Sequence, residues 1–160
     1  MKCAICGKEI DEGKETVDHI FPRAMYKWFA EYLQEEHNNR IKKIIEGPDN
    51  KAWVHHHCNI VKGEQIYKIS TLYVSEQKKL KLYEVKELLG PVIKQYIRNK
   101  EKKLSEQSGK CFCCGRRISL RGGTVRRIDP NKKRIWENAC IVCHYCNLRN
   151  KEFKSFRKSN

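Results

Sequence analysis

The chain has 160 residues, 34 Lys+Arg against 19 Asp+Glu, a net charge of +15 and 39% hydrophobic residues. It is too apolar and too mixed in sign for a disordered chain, and no run approaches the roughly 18 apolar residues of a membrane span. Nine cysteines, an odd number, exclude a scaffold in which every cysteine is paired within the chain.

In chain order, the opening Met1-Lys2-Cys3-Ala4-Ile5-Cys6-Gly7 lacks the apolar core of a signal peptide, so a cytoplasmic, reducing location is expected. Thr16–Ile20 reads as a short strand, with Trp53–Val54 in its hairpin partner. Between them Met25, Trp28, Phe29, Tyr32 and Leu33, then Ile41, Ile44 and Ile45, fall at helical spacing. Their aromatics read as core, not as platforms for stacking bases. Gly47-Pro48-Asp49-Asn50 is a turn signal. A helix is expected to start near Cys58 or Asn59 and to run past Lys62. Residues 76–106 read as two helices broken at Gly90-Pro91, because proline suits a helix start. Leu80, Leu82, Tyr83, Leu88 and Leu89 mark the first; Val92, Ile93, Tyr96, Ile97 and Leu104 mark the second. Ser105–Gly109 reads as a linker.

Charge follows this order. Residues 1–68 are neutral overall, 69–109 carry +4 and 110–160 carry +11. A field concentrated in one third of the chain implies a polyanionic partner, nucleic acid before membrane.

The chain also repeats itself. Cys3-Ala4-Ile5-Cys6-Gly7-Lys8-Glu9-Ile10 matches Cys111-Phe112-Cys113-Cys114-Gly115-Arg116-Arg117-Ile118, 108 residues on. At the same offset Thr16-Val17-Asp18-His19-Ile20-Phe21-Pro22 faces Thr124-Val125-Arg126-Arg127-Ile128-Asp129-Pro130. The offset then falls to 88, and Asn50-x4-His55-x2-Cys58-Asn59 faces Asn138-x4-Cys143-x2-Cys146-Asn147. Two copies of one small unit are implied, the first with an insertion of about 20 residues within 23–49. Units this short need a staple. Paired CxxC-type ligands suit tetrahedral zinc: Cys3, Cys6, His55 and Cys58 in the first copy, Cys111, Cys114, Cys143 and Cys146 in the second. The alignment selects His55 over its neighbours His56 and His57. Cys113 and Cys140 are left as small buried fillers, though either could replace a ligand.

The residues Cys3-x2-Cys6, Val17-Asp18-His19-Ile20-x-Pro22, Asn50 and His55-x2-Cys58-Asn59-x2-Lys62-Gly63 resemble the HNH endonucleases, the ββα-metal nucleases. The match covers about 68 residues. The resemblance implies an α+β protein of two small zinc-stapled ββα-metal modules joined by a helical segment. The expected domains are a nuclease module at 1–68, a helical bridge at 69–109 and a degenerate basic module at 110–160. His19 is expected to activate water, with Asp18 and Asn59 as oxygen ligands for catalytic Mg²⁺ or Mn²⁺. Asn50 is expected to orient His19. Lys62 is expected either to meet phosphate or to cap its helix, and Arg23 is similarly placed but weaker.

In the second copy Arg126-Arg127 stand where Asp18-His19 stand in the first. Arginine is no base at neutral pH and repels a metal ion, so this copy is expected to be inactive. With Arg116, Arg117, Lys132, Lys133 and Arg134 it is expected to grip the backbone of DNA, double-stranded by preference. A monomer would nick and a homodimer could cut both strands; a partner protein could instead deliver the nuclease. Two alternatives stay open: a zinc protein that binds nucleic acid without cutting it, and an RNase effector.

Overall fold

The β-branched run Thr16-Val17 and the stretch around Trp53-Val54 lie in two antiparallel strands of the computed structural model, β1 (Glu15–His19) and β2 (Lys51–His55). The register sets Val17 opposite Trp53 and His19 opposite Lys51. The structure describes residues 1–29, 32 and 34–149. The connection between these strands holds α1 (Arg23–Lys27), α2 (Glu35–Glu46) and a 3-10 turn at Pro48–Asn50. Helix α3 (His56–Lys62) follows β2 directly, starting two residues before the expected Cys58. Next come a 3-10 turn at Ile69–Thr71 and the long helix α4 (Glu76–Glu106). The rest is β3 (Gly123–Arg127), a 3-10 turn at Trp136–Asn138, β4 (Ala139–Cys143) and α5 (His144–Leu148). The fold is thus mixed α+β, with two separate two-stranded antiparallel sheets. None of the described helices is long and apolar enough to cross a membrane.

The expected break at Gly90-Pro91 is absent: α4 runs through Pro91. Proline removes one N–H and frees the carbonyl four residues back, at Glu87. Both Glu87 and Pro91 are exposed, on the side of the helix where water can take that bond. Leu82, Val85, Leu89 and Val92 are buried on the other side. The expected linker Ser105–Gly109 begins inside this helix.

The chain divides into two compact units, Met1–Lys94 and Gln95–Asn160, and the division falls within α4. In the first, Ile20, Phe21, Met25, Trp28, Phe29, Ile41 and Ile45 are all buried. The insertion's aromatics are therefore mostly core, as expected, although Tyr32 is 53% exposed. Leu33 lies outside the described residues. A smaller cluster of Cys3, Ala4, Ile10 and Val54 backs the first cysteine pair. In the second unit Cys111, Cys140, Val142 and Cys143 form the corresponding cluster.

The hydrogen bonds repeat with the same two offsets as the sequence. Cys3 N–H donates to Lys8 O and Cys111 N–H to Arg116 O. Ile20 N–H donates to Asn50 O at 2.8 Å and Ile128 N–H to Asn138 O at 2.7 Å. Asn50 accepts from Phe21 N–H and donates to Phe21 O and Ile45 O. Asn138 does the same with Asp129 N–H, Asp129 O and Lys133 O. Phe21 therefore answers Asp129 and Ile45 answers Lys133, which places the extra residues between them, over α1 and most of α2.

The second unit adds one device of its own. The Gln107 amide donates to Ile141 O at 2.9 Å and accepts from Ile141 N–H at 2.7 Å. A side chain thus pairs with the free edge of β4 as a strand would.

Candidate functional site

Each cysteine pair sits in a tight turn. Gly7 closes the first with φ +73°, a conformation that glycine adopts without strain, and Gly115 closes the second with φ +68°. The remaining two ligands come from the junction of the second strand with the following helix. Donor atoms of Cys3, Cys6, His55 and Cys58 lie within 4.8 Å of one another, as do those of Cys111, Cys114, Cys143 and Cys146. These are the two ligand sets expected, and each could hold a zinc ion. Cys114 Sγ and Cys143 Sγ are 3.8 Å apart. That is the edge, about 3.8 Å, of a tetrahedron with Zn–S near 2.3 Å.

His55 supplies the fourth donor of the first set. Its Nδ1 is 3.4 Å from Cys6 Sγ and 3.9 Å from Cys58 Sγ. Its Nε2–H donates to Glu9 O at 2.9 Å, which fixes the tautomer and leaves the Nδ1 lone pair for a metal. His56 and His57 are exposed on α3. Burial works against ionising Cys3, yet the N–H groups of Cys6, His55 and Ile5 hold its thiol down to about 6. Cys58 is pushed up to about 12 by burial and by Cys6 and Cys3. A converging set of thiols in which ionising one hinders the next is the donor set a divalent cation relieves. Cys140 is fully buried and Cys113 half-buried beside the second set, and neither enters it.

Asp18 and His19 are neighbours on β1, so their side chains leave opposite faces of the strand. Asp18 is buried and meets Lys62 from the end of α3. Lys62 Nζ is 3.0 Å from Asp18 Oδ2, 3.3 Å from Oδ1 and 2.9 Å from His19 O. Burial pushes the Asp18 carboxyl up against the pull of Lys62, and burial pushes Lys62 down against the pull of Asp18. Lys62 is only 1% exposed. It therefore lies inside the unit and does not reach a phosphate at the surface. A lysine stem long enough to cross from α3 to β1, with a carboxylate waiting there, explains the burial.

Oδ2 of Asp18 meets that ammonium as a buried ion pair at 3.0 Å. It is a buried oxygen with no hydrogen-bond partner among the described residues. Asn59 is half-buried on α3. In the second unit the matching pair is joined, Arg126 Nη1 donating to Asn147 Oδ1 at 3.0 Å. In the sequence repeat, positions 18 and 59 answer Arg126 and Asn147. Carboxylate and amide oxygens are the ligand types that Mg²⁺ or Mn²⁺ takes, and at Asp18 the Lys62 ammonium already lies 3.0 Å from Oδ2 and 3.3 Å from Oδ1.

His19 points elsewhere. Its Nε2 lies 3.2 Å from Oε2 of Glu46, the last residue of α2, and Glu46 Oε1 is 2.8 Å from Arg23 Nε. Burial pushes the His19 ring below the usual histidine range, more than Glu46 raises it. Partial burial of Glu46 works against its charge, but Arg23 and His19 hold its carboxyl low. Asn50 does not touch the His19 ring. Its three side-chain bonds go to the backbone of Phe21 and Ile45, and Asn138 repeats them where no histidine exists. Asn50 thus holds the loop after β1 and does not orient the imidazole directly.

Glu46 is the residue that reading the motif missed. The available signal was the 88-residue offset, which sets Glu46 against Arg134 one step beyond the aligned pair Ile45 and Lys133. In the second unit Arg126 and Arg127 are half-buried, and Arg127 Nη1 donates to Lys132 O at 3.0 Å. Arg116, Arg117, Lys132, Lys133 and Arg134 are exposed. Desolvation, with the nearby charges of Arg127 and Arg126, pushes Arg134 below its ordinary value although its side chain stays largely open to solvent.

No family model matches the chain, and neither a curated protein nor a solved structure does.

Proposed function

We propose that the chain is an endonuclease of the HNH type, hydrolysing DNA phosphodiester bonds with the unit Met1–Lys94. The observation that carries this reading is the adjacency on β1 of a partly buried His19 and the buried Asp18, in a hairpin and helix that also bring Cys3, Cys6, His55 and Cys58 together. His19 takes the proton of the attacking water. Its acceptor is Nδ1, which makes no hydrogen bond among the described residues. Asp18 and Asn59 would hold the divalent ion, which would supply positive charge toward the phosphate and the leaving oxygen. Lys62 neutralises part of the Asp18 charge and ties the carbonyl of His19 to α3. Asn50 keeps the chain after β1 in the turn that presents His19.

The unit Gln95–Asn160 has the same frame with arginine in place of the acid and the base. Arginine is no base at neutral pH, and the unit's positive charge suits phosphate. We assign it the grip on the DNA backbone, with Arg126, Arg127 and Arg134 at its centre and Arg116, Arg117, Lys132 and Lys133 around them. The two zinc ions are structural. Cleavage of supercoiled plasmid by the zinc-loaded protein, with and without Mg²⁺ and with His19→Ala as control, tests the assignment.

A further inference from the structure

We propose that Glu46 is a positioning residue for His19, and that the insertion carried by the first copy alone exists in part to deliver it. This rests on His19 being the base. Arg23 opens the insertion as the first residue of α1, and Glu46 ends α2. Both meet at one carboxylate: Oε1 to Arg23 Nε at 2.8 Å, Oε2 to His19 Nε2 at 3.2 Å. An ionised carboxylate only accepts, so the shared proton sits on Nε2 and the lone pair on Nδ1. Glu46 thereby selects which nitrogen of His19 receives the proton of water, and Arg23 keeps Glu46 in place.

Two further observations support the assignment. Glu46 closes a 12-residue helix, where the helix dipole favours a cation and disfavours a carboxylate. An acid kept against that preference has another use. The second copy supplies the comparison: His19 is answered by Arg127 and Glu46 by Arg134, and the insertion is missing. Where the histidine is gone, its acid and the segment that brings the acid are gone too.

The test has two readouts on the full-length, zinc-loaded protein. Nitrogen-15 NMR of the His19 ring should show the Nε2–H tautomer in the parent protein. It should show a mixed population in Glu46→Ala and the parent pattern in Glu46→Gln, which keeps an accepting oxygen. In plasmid cleavage Glu46→Ala should lower kcat by at least roughly 10- to 100-fold, the loss seen for partners that orient a metal-bound imidazole. KM for DNA should not change, and Glu46→Gln should recover most of the loss. An Nδ1–H tautomer in the parent protein, or a parental kcat in Glu46→Ala, overturns the proposal. A protein that cuts no DNA but shows the tautomer shift overturns the nuclease reading, and keeps Glu46 as the residue that sets the His19 ring.

Discussion

Lys62 Nζ and Asp18 Oδ2 lie 3.0 Å apart, with side chains 1% and 7% exposed, in a small unit with little interior to spare. Two charges withdrawn from water this far are tolerable only together. Lys62→Met should therefore cost about 3–5 kcal/mol, the penalty for leaving one buried charge alone. Adding Asp18→Asn to Lys62→Met should recover much of it. Urea unfolding of the single and double variants measures both. A small loss in Lys62→Met would mean that Lys62 is free to leave the interior.

Zinc should be present at two ions per chain, one in each cluster. His55→Ala should lose the ion of the first cluster and keep that of the second, whereas His56→Ala should keep both. Metal analysis of the purified variants decides this. Because so small a unit depends on its staple, a strong chelator should unfold the protein as seen by circular dichroism.

The repeat, both ligand sets and both strand pairs could be read in the sequence, because their residues are restricted by type. Only a thiol or imidazole ligates zinc at these positions. A glycine suits the φ of +73° after Cys6, and Asn50 and Asn138 each need one acceptor and two donors in a side chain of that length. What escaped were contacts with no local rule. Lysine is almost never fully buried, so Lys62 reads as a surface charge until its partner on β1 is seen. Glu46 lies 27 residues from His19, and nothing in the periodicity of α2 says where that helix ends in space. Pro91 reads as a break because the exposure of Glu87 cannot be read from spacing alone.

The pH dependence should follow His19. Burial holds its folded value below the usual histidine range, near 6.5, so the ring is neutral at pH 7. Cleavage should be level from neutrality upward and fall only in acid below that range. Stability has the same sign. The unfolded chain binds the proton first, so the contribution of His19 is present above the unfolded value and is lost as pH falls through the folded one. Initial rates and thermal unfolding across pH check the two together. A rate that falls between pH 8 and 7 would contradict a neutral His19.

DNA binding should depend on the second unit. Arg126→Ala with Arg127→Ala should weaken binding across sequences. The slope of log affinity against log salt should flatten by roughly 0.9 for each phosphate that is no longer neutralised. Arg134→Ala should add to the effect. Fluorescence anisotropy on a duplex at several salt concentrations measures it. Unchanged affinity and slope would remove this unit from the DNA-binding role.

On the proposed function, His19 and a divalent ion at Asp18 and Asn59 make this chain a nuclease. The most direct measurement is cleavage of supercoiled plasmid by purified zinc-loaded protein in Mg²⁺, in Mn²⁺ and with no added divalent ion, beside His19→Ala. Nicked circles that need both the added ion and His19 are the predicted result. Equal cleavage by His19→Ala, or binding without cleavage under every condition, would contradict it.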